Sequence, residues 1–201
     1  MTTFSGQVSQ SSDDSDQVFG VPTTNSLTSA SINLKNTTAS KKWAGFRFQN
    51  VTVPAGATIT AASLSLWCPT GGNTAMFATI FGNKVANPGT LQATSNYLAS
   101  LAQTTASTFW SATLSTNQFN ASPDISAIIT ELIGQAGWAS ANSMVFPVLA
   151  GSSSQAATIE MWDGTPSQAA ELSITYTGGG GGASIVVLAL WLDPMRGGFV
   201  N

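Results

Sequence analysis

Residues 43–67 alternate polar and apolar side chains with a period of two at both ends of the stretch. The apolar positions are Phe46 and Phe48 in the first run, with Trp43 nearby, and Ala62, Leu64 and Leu66 in the second. Because successive side chains on a strand point to opposite faces, this period is typical of half-buried strands. Between the two runs, residues 54–56 read Pro-Ala-Gly, which is turn chemistry. We therefore predict two core strands joined by an ordered corner.

Short alternating runs flank this pair on both sides, at residues 17–19, 29–34, 75–82, 108–114, 143–149, 157–162 and 171–176. Pro147 removes a ladder donor, so its strand is predicted to lie at an edge or to be bulged there. Residues 91–105 are too weakly patterned to assign. Many short strands separated by turn signals indicate an all-β fold, an antiparallel sandwich.

One helix is predicted over residues 125–133. Its apolar residues are Ile125, Ile128, Ile129, Leu132 and Ile133, the spacing of an amphipathic helix. Asp124 is placed to cap its start, and Gly134 and Gly137 to end it. Because so short a helix is marginal alone in water, its isoleucine face is expected to plug one end of the sandwich.

Composition excludes several classes of function. Of the residues, 43% are hydrophobic, enough for a sizeable core, but only 7% are charged, against ~25% in ordinary domains. The surface must then be small and neutral, which suits subunit packing or sugar binding. The net charge is −3, and the six basic residues form no cluster beyond Lys41 and Lys42. Nucleic acid is therefore not an expected partner.

Catalytic and targeting signals are missing. The sequence contains no histidine, and its one cysteine, Cys68, belongs to no metal-binding motif. Glu131, Glu160 and Glu171 are scattered along the chain. We expect no enzyme activity, no catalytic residue, no cofactor and no metal. The N-terminal residues resemble no secretory signal and no apolar run can span a bilayer, so synthesis in a host cytoplasm without membrane contact is expected.

Asp13, Asp14 and Asp16 stand close together in a polar N-terminal stretch. Three such carboxylates can ligate calcium, which prefers oxygen ligands. The glycine and the closing glutamate of an EF-hand loop are absent, so a solvated acidic loop is the preferred interpretation.

The C-terminal residues differ from the rest. The sandwich domain is predicted to span residues 1–177, followed by a polyglycine linker over 178–182 and an apolar arm over 183–201. The arm can fold back on its own domain as a last strand, or add a strand or apolar plug to a neighbour. The predicted assembly residues of this arm are Ile185, Val186, Val187, Leu188, Leu190, Trp191, Leu192 and Phe199.

Several ordered motifs resemble the DNRLRE-type β-sandwich domains, which include carbohydrate-binding modules. They are Gly-Phe-Arg-Phe at 45–48, Val-Pro-Ala-Gly-Ala-Thr-Ile at 53–59 with the alternating run after it, the 124–133 helix, Gly-Trp at 137–138 and the run at 170–176. The resemblance implies a jelly-roll-like sandwich over roughly the first 177 residues. Similar stand-alone domains occur among bacteriophage virion proteins.

Two functions follow as hypotheses. In the first, the chain is a virion structural protein, such as a head decoration or fibre subunit, whose arm attaches it to other copies of itself or to a capsid or tail protein. In the second, it is a carbohydrate-binding adhesin module that stacks surface glycans on Trp110, Trp138 or Trp162, although aromatic residues in strand patterns usually belong to the core.

Overall fold

The computed structural model describes residues 1–19, 25–37, 40–151 and 155–179. Its strands are β1 (Thr2–Gln7), β2 (Asp14–Phe19), β3 (Ser31–Thr37), β4 (Ser40–Val51), β5 (Thr58–Cys68), β6 (Ala75–Asn83), β7 (Gln103–Thr113), β8 (Gln118–Ala121), β9 (Asn142–Ala150), β10 (Ala156–Glu160) and β11 (Glu171–Thr177). The helices are α1 (Tyr97–Ser100) and α2 (Ser126–Ile133), with 3-10 turns at Ser11–Asp13 and Pro166–Gln168.

The strands form two antiparallel sheets. The four-stranded sheet has the order β1-β11-β5-β8, and the seven-stranded sheet has the order β10-β3-β4-β9-β6-β7, with β2 also paired to β4. All pairings between the described strands are antiparallel. The predicted all-β antiparallel sandwich is confirmed.

The central pair of strands is divided between the two sheets. β4 belongs to the seven-stranded sheet and β5 to the four-stranded sheet, so the corner between them crosses from one layer to the other. At this corner Ala57 N donates to Pro54 O at 3.3 Å, and Gly56 adopts a φ of +72°. Phe46 and Leu64, one from each strand, are fully buried in the same core cluster.

Helix α2 closes one end of the sandwich, where it packs on β5, β6 and β7. Its buried residues are Ile128, Ile129, Leu132 and Ile133. Ile125, the residue directly before the helix, makes no side-chain cap, but the Asp124 carboxylate interacts with the backbone N–H of Ser126, the first helical residue. Asp124 Oδ1 also accepts a hydrogen bond from Ala62 N of β5 at 2.9 Å, and its other oxygen accepts one from the Ser126 hydroxyl. Although burial opposes them, these hydrogen bonds, led by that of the Ser126 hydroxyl, lower the pKa of Asp124.

The strand that contains Pro147, β9, was predicted to be an edge strand or to be bulged. The first of these alternatives is wrong, because β9 is an interior strand. It lies between β4 and β6. The pairing of β9 with β6 covers only residues 148–150, so Pro147 stands just outside that ladder. The missing N–H therefore costs no hydrogen bond between these two strands.

A second, smaller core lies on the outer face of the seven-stranded sheet. Its buried members are Trp43, Leu91, Leu98 and Val145. Leu91 and Leu98 come from residues 84–102, the connection between β6 and β7, which lies over part of this face. The sequence pattern alone does not assign residues 91–105. The outer face of the four-stranded sheet carries no such apolar cover from the described residues.

Candidate interaction surfaces

The outer face of the four-stranded sheet presents small side chains in rows that cross the strands. Ser5 of β1 lies opposite Ser173 of β11, which lies opposite Ser63 of β5. In the next row, Thr3 Oγ1 and Thr175 Oγ1 are 3.2 Å apart. We term this surface the hydroxyl face; its members are Thr3, Ser5, Ala61, Ser63, Ser65, Ser173 and Thr175. Its members carry no charge, and two shallow depressions open on it.

One end of the hydroxyl face is bordered by a carboxylate and two aromatic rings. Glu171 lies opposite Gln7 on one side and Ser65 on the other, beside a shallow depression of about 410 Å³. Partial burial raises the pKa of Glu171 above its ordinary value. One row further, the rings of Trp67 and Phe119 meet edge to face with centroids 5.1 Å apart. A hydrogen-bonding group thus stands beside an aromatic surface.

The tryptophans predicted to stack on glycans lie elsewhere. Trp110 and Trp138 are only 2% and 6% exposed, and Trp138 Nε1 donates to Val53 O at 3.0 Å. The prediction is wrong for these two residues, because core packing leaves neither ring face open. Trp162 is half-buried against the core. The prediction missed Trp67, although its alternation with Leu64 and Leu66 places it on the outer face.

The second surface is the outer edge of β7, the last strand of the seven-stranded sheet. Helix α2 covers the start of this edge. Thr105 N donates to Glu131 Oε1 at 3.0 Å and Ala106 N donates to Oε2 at 2.9 Å, while Lys84 Nζ lies 3.2 Å from Oε1. These hydrogen bonds, led by that of Ala106, lower the pKa of Glu131.

Beyond Glu131 the edge is open. Leu114 N donates to Thr74 O at 2.8 Å and Gly151 N donates to Phe77 O at 2.7 Å. Hydrogen bonds alternate along an antiparallel ladder, so these two place the even-numbered residues of β7 in bonding contact with β6. The N–H and C=O groups of Phe109, Ser111 and Thr113 therefore point away from β6, and no residue in the described ranges bonds to them.

An exposed aromatic ring stands beside this open stretch. Phe109 is 52% exposed, and its ring meets that of Phe77 edge to face with centroids 4.7 Å apart. Residues 107–113 contain no charged residue and no proline. We term residues 107–113, together with Phe77, the β7 edge.

The acidic N-terminal stretch is structural. The preferred interpretation as a solvated loop is wrong, because Asp13 and Asp14 are 0% and 1% exposed. Asp13 pairs with Arg47, and Asp14 Oδ2 accepts a hydrogen bond from Trp162 N at 2.7 Å. Burial, first of several causes, raises the pKa of Asp14 to about 7. Over the described ranges, no three His, Cys, Asp or Glu side chains are grouped to hold a metal ion.

The predicted assembly residues, Ile185 to Leu192 and Phe199, lie outside the described residues. β11 ends at Thr177, where the predicted linker begins. Within the part of the chain that is described, no helix is long and apolar enough to cross a bilayer.

No protein-family model matches the chain, and no curated protein matches it in sequence. The resemblance to the DNRLRE-type domains therefore stays a prediction.

Proposed function

We propose that this protein is a structural subunit of a particle, such as a head decoration or fibre subunit of a virion, that works by contact and not by catalysis. The observation that carries the proposal is the β7 edge, an open and uncharged strand edge beside the exposed ring of Phe109. Soluble proteins protect such edges with charges, prolines or covering segments, because an open edge pairs with other chains. An unprotected edge is expected where pairing is the purpose.

Four carboxylates of the chain hold structural hydrogen bonds or ion pairs, which supports the proposal. Asp13 pairs with Arg47, Asp14 accepts from Trp162 N, Asp124 accepts from Ala62 N, and Glu131 accepts from β7. General acid-base chemistry needs carboxylates poised beside a substrate. In this protein these four carboxylates instead stabilise backbone groups and a buried arginine.

The low charge of the chain fits the same role. A surface built from Ser, Thr, Ala and Gln has few long side chains to immobilise, so close packing against a neighbour costs little side-chain entropy. The hydroxyl face is a second surface of small, neutral side chains available for such packing.

The test is to delete residues 178–201 and compare the truncated and full-length chains by sedimentation velocity and thermal unfolding. We expect the full-length chain to form a defined oligomer and the truncated chain to be monomeric with an unchanged melting temperature. A control that replaces glycines 180–182 with Ser, and leaves the positive-φ residues Gly178 and Gly179 unchanged, should assemble normally. Unaltered assembly of the truncated chain would contradict the proposed role of the arm.

A second candidate function, glycan binding as an adhesin module, is favoured by Trp67 and Phe119 beside Glu171. An aromatic face and a nearby hydrogen-bonding group together can hold a sugar ring. On a glycan array, Trp67→Ala should remove binding, whereas Phe109→Ala, which alters an exposed ring on the other sheet, should not. An array on which the unaltered protein binds no glycan would dismiss this candidate.

A further inference from the structure

We propose that the β7 edge accepts the apolar segment 185–192 of a neighbouring copy as an added strand. This inference rests on the proposed function, since it names the surface that receives the arm. It has three supports: the unpaired backbone of β7, the aromatic rings on both sides of that edge, and the length of the chain beyond β11.

The backbone of the edge can form a new ladder. Phe109, Ser111 and Thr113 direct their N–H and C=O groups away from β6, so an incoming strand meets donors and acceptors at alternate residues. The open stretch 107–113 is about 23 Å long, and the eight residues 185–192 extend over about 26 Å. The two lengths match.

The side chains of the segment suit this position. An added strand would lie with one face beside Phe77 and Phe109, on the outer side of the sheet. Its other face would lie on the inner side, next to exposed Ala112 and buried Trp110. A strand covered on both faces is apolar throughout, without polar alternation. Residues 185–192 read Ile-Val-Val-Leu-Ala-Leu-Trp-Leu, without a polar residue.

The other described strand edges fit this occupant less well. The edge of β10 is covered, since Thr158 N donates to Asn73 O at 2.8 Å. β8 is only four residues long. The edge of β1 borders the hydroxyl face, and no exposed aromatic ring of the described residues stands beside it, whereas Phe109 is exposed beside the β7 edge.

The linker allows the segment to reach another copy. β11 ends at Thr177, and seven residues separate it from Ile185. Gly179 lies beside Pro54 and Ala57 at the corner between β4 and β5, so the reach is set by the five residues 180–184. Fully extended, five residues bridge up to about 18 Å. That reach is enough to leave the surface of one sandwich for the edge of an adjacent one.

Disulfide trapping between two differently labelled copies tests the proposal. In a Cys68→Ala background, one full-length variant carries Ser111→Cys on the β7 edge. The other variant carries a single cysteine at one of positions 186–190. These positions are scanned one by one because the proposal does not specify the register between the segment and β7. Mixing and oxidising the pair should give a disulfide-linked heterodimer at alternate positions of the scan. The matched control is Thr3→Cys, on the edge strand of the other sheet, which should give none.

Two results would overturn the proposal. Equal trapping at Thr3→Cys and Ser111→Cys would show that the segment has no preference for the β7 edge. A chain that carries both cysteines and forms only the intramolecular disulfide at high dilution and in mixtures would show that the segment folds back on its own copy.

A charge at the edge gives an independent readout. Ser111→Lys should weaken self-association at least about tenfold by sedimentation, because a charged edge residue opposes strand addition, and should leave the melting temperature unchanged. Thr3→Lys is the control. If truncation at residue 178 abolishes assembly but Ser111→Lys does not, the assembly function stands and the β7 edge assignment fails. If truncation also leaves assembly intact, the proposed function itself fails.

Discussion

Arg47 Nη1 donates to Asp13 Oδ1 at 2.7 Å, and the two side chains form a buried ion pair. The other two nitrogens of Arg47 also donate, Nε to Pro88 O and Nη2 to Ser143 Oγ, each at 3.0 Å. Gln49 Nε2 donates to the second oxygen of Asp13 at 2.6 Å. This network ties the N-terminal 3-10 turn, β4, β9 and the covering connection 84–102 together, so it holds the second core in place.

Breaking this pair should be costly. In Arg47→Met the carboxylate of Asp13 stays buried without a cation, and we expect a loss of about 3–5 kcal/mol in the free energy of unfolding. Lys84→Met, which breaks the exposed pair with Glu131, is the control and should cost much less, because solvent screens an exposed pair. Urea unfolding measures both. Adding Asp13→Asn to Arg47→Met should recover part of the loss, and equal losses in the two single variants would contradict the prediction.

Asp14 should make stability depend on pH. Its pKa is raised from 3.8 to about 7 in the folded state, first by burial and then by Asp163, Asp13 and Asp16, against the hydrogen bond from Trp162 N. The folded protein therefore holds this proton more tightly than the unfolded chain. The contribution of Asp14 to stability is complete at low pH and is lost as pH rises from about 4 to about 7.

The variant Asp14→Asn removes this dependence, because an amide keeps the acceptor for Trp162 N and cannot ionise. We expect it to be more stable than the unaltered protein at pH 8 by roughly 2–4 kcal/mol, with the difference vanishing toward pH 4. Chemical unfolding at a series of pH values measures the difference. Asp163→Asn, at an exposed neighbour, should keep most of the slope. A constant difference between Asp14→Asn and the unaltered protein at all pH values would rule out titration of Asp14.

Local periodicity explains which parts of the fold were predictable. Phe46, Phe48, Leu64 and Leu66 are in the core because their alternation alone decides which face of a strand is apolar. The same reasoning places Ile128 on the buried face of α2. Alternation does not tell which sheet a strand belongs to. For example, β4 and β5 are adjacent in sequence but lie in different sheets.

The errors have a common origin in contacts between residues far apart in sequence. Asp13 was expected in a solvated loop, but its cation lies 34 positions away on β4. Asp124 was expected only at the start of its own helix, but its carboxylate also reaches Ala62, 62 positions earlier. Local propensity contains no information on either partner.

The two candidate surfaces could not be predicted from the sequence either, because they also depend on contacts between residues far apart in sequence. The rows of the hydroxyl face join β1, β11 and β5, which are distant in sequence, so only the register reveals them. The openness of the β7 edge likewise depends on β7 being last in its sheet. Trp67 is the exception, since the alternation of β5 alone indicates its outward direction.

Gly45 should not tolerate a side chain. A Cβ at this position would lie 2.5 Å from Leu98 Cδ2 and 3.0 Å from Ser15 Oγ; both residues are buried, and Leu98 belongs to the covering connection. We expect Gly45→Ala to cost about 1–3 kcal/mol by overpacking. Gly89→Ala is the matched control within the same connection, because a Cβ there meets nothing within 4 Å. It should be neutral or slightly stabilising by thermal unfolding. Equal melting temperatures would show that Leu98 can move away freely.

Glu131 should protect the start of the β7 edge from solvent exchange. Its two oxygens accept hydrogen bonds from Thr105 N and Ala106 N, so Glu131→Ala leaves these amides without partners. We expect their hydrogen-exchange protection to fall at least about tenfold, with Glu131→Gln intermediate, because such protection measures local opening. Glu160→Ala, on β10, is the control and should leave both amides unchanged.

The same two amides should also report the ionisation of Glu131. The hydrogen bonds from Ala106 and Thr105 lower the pKa of Glu131 in the folded state. The protection of these two amides from hydrogen exchange should therefore be complete above the ordinary pKa of a glutamate. As the pH falls below the ordinary glutamate pKa and then through the lowered pKa of Glu131, the carboxylate is protonated and the protection of the two amides should be lost. Protection factors for Thr105 and Ala106, measured by NMR and corrected for the intrinsic pH dependence of exchange, check this. Loss of protection at or above the ordinary glutamate pKa would mean that the carboxylate does not hold the strand.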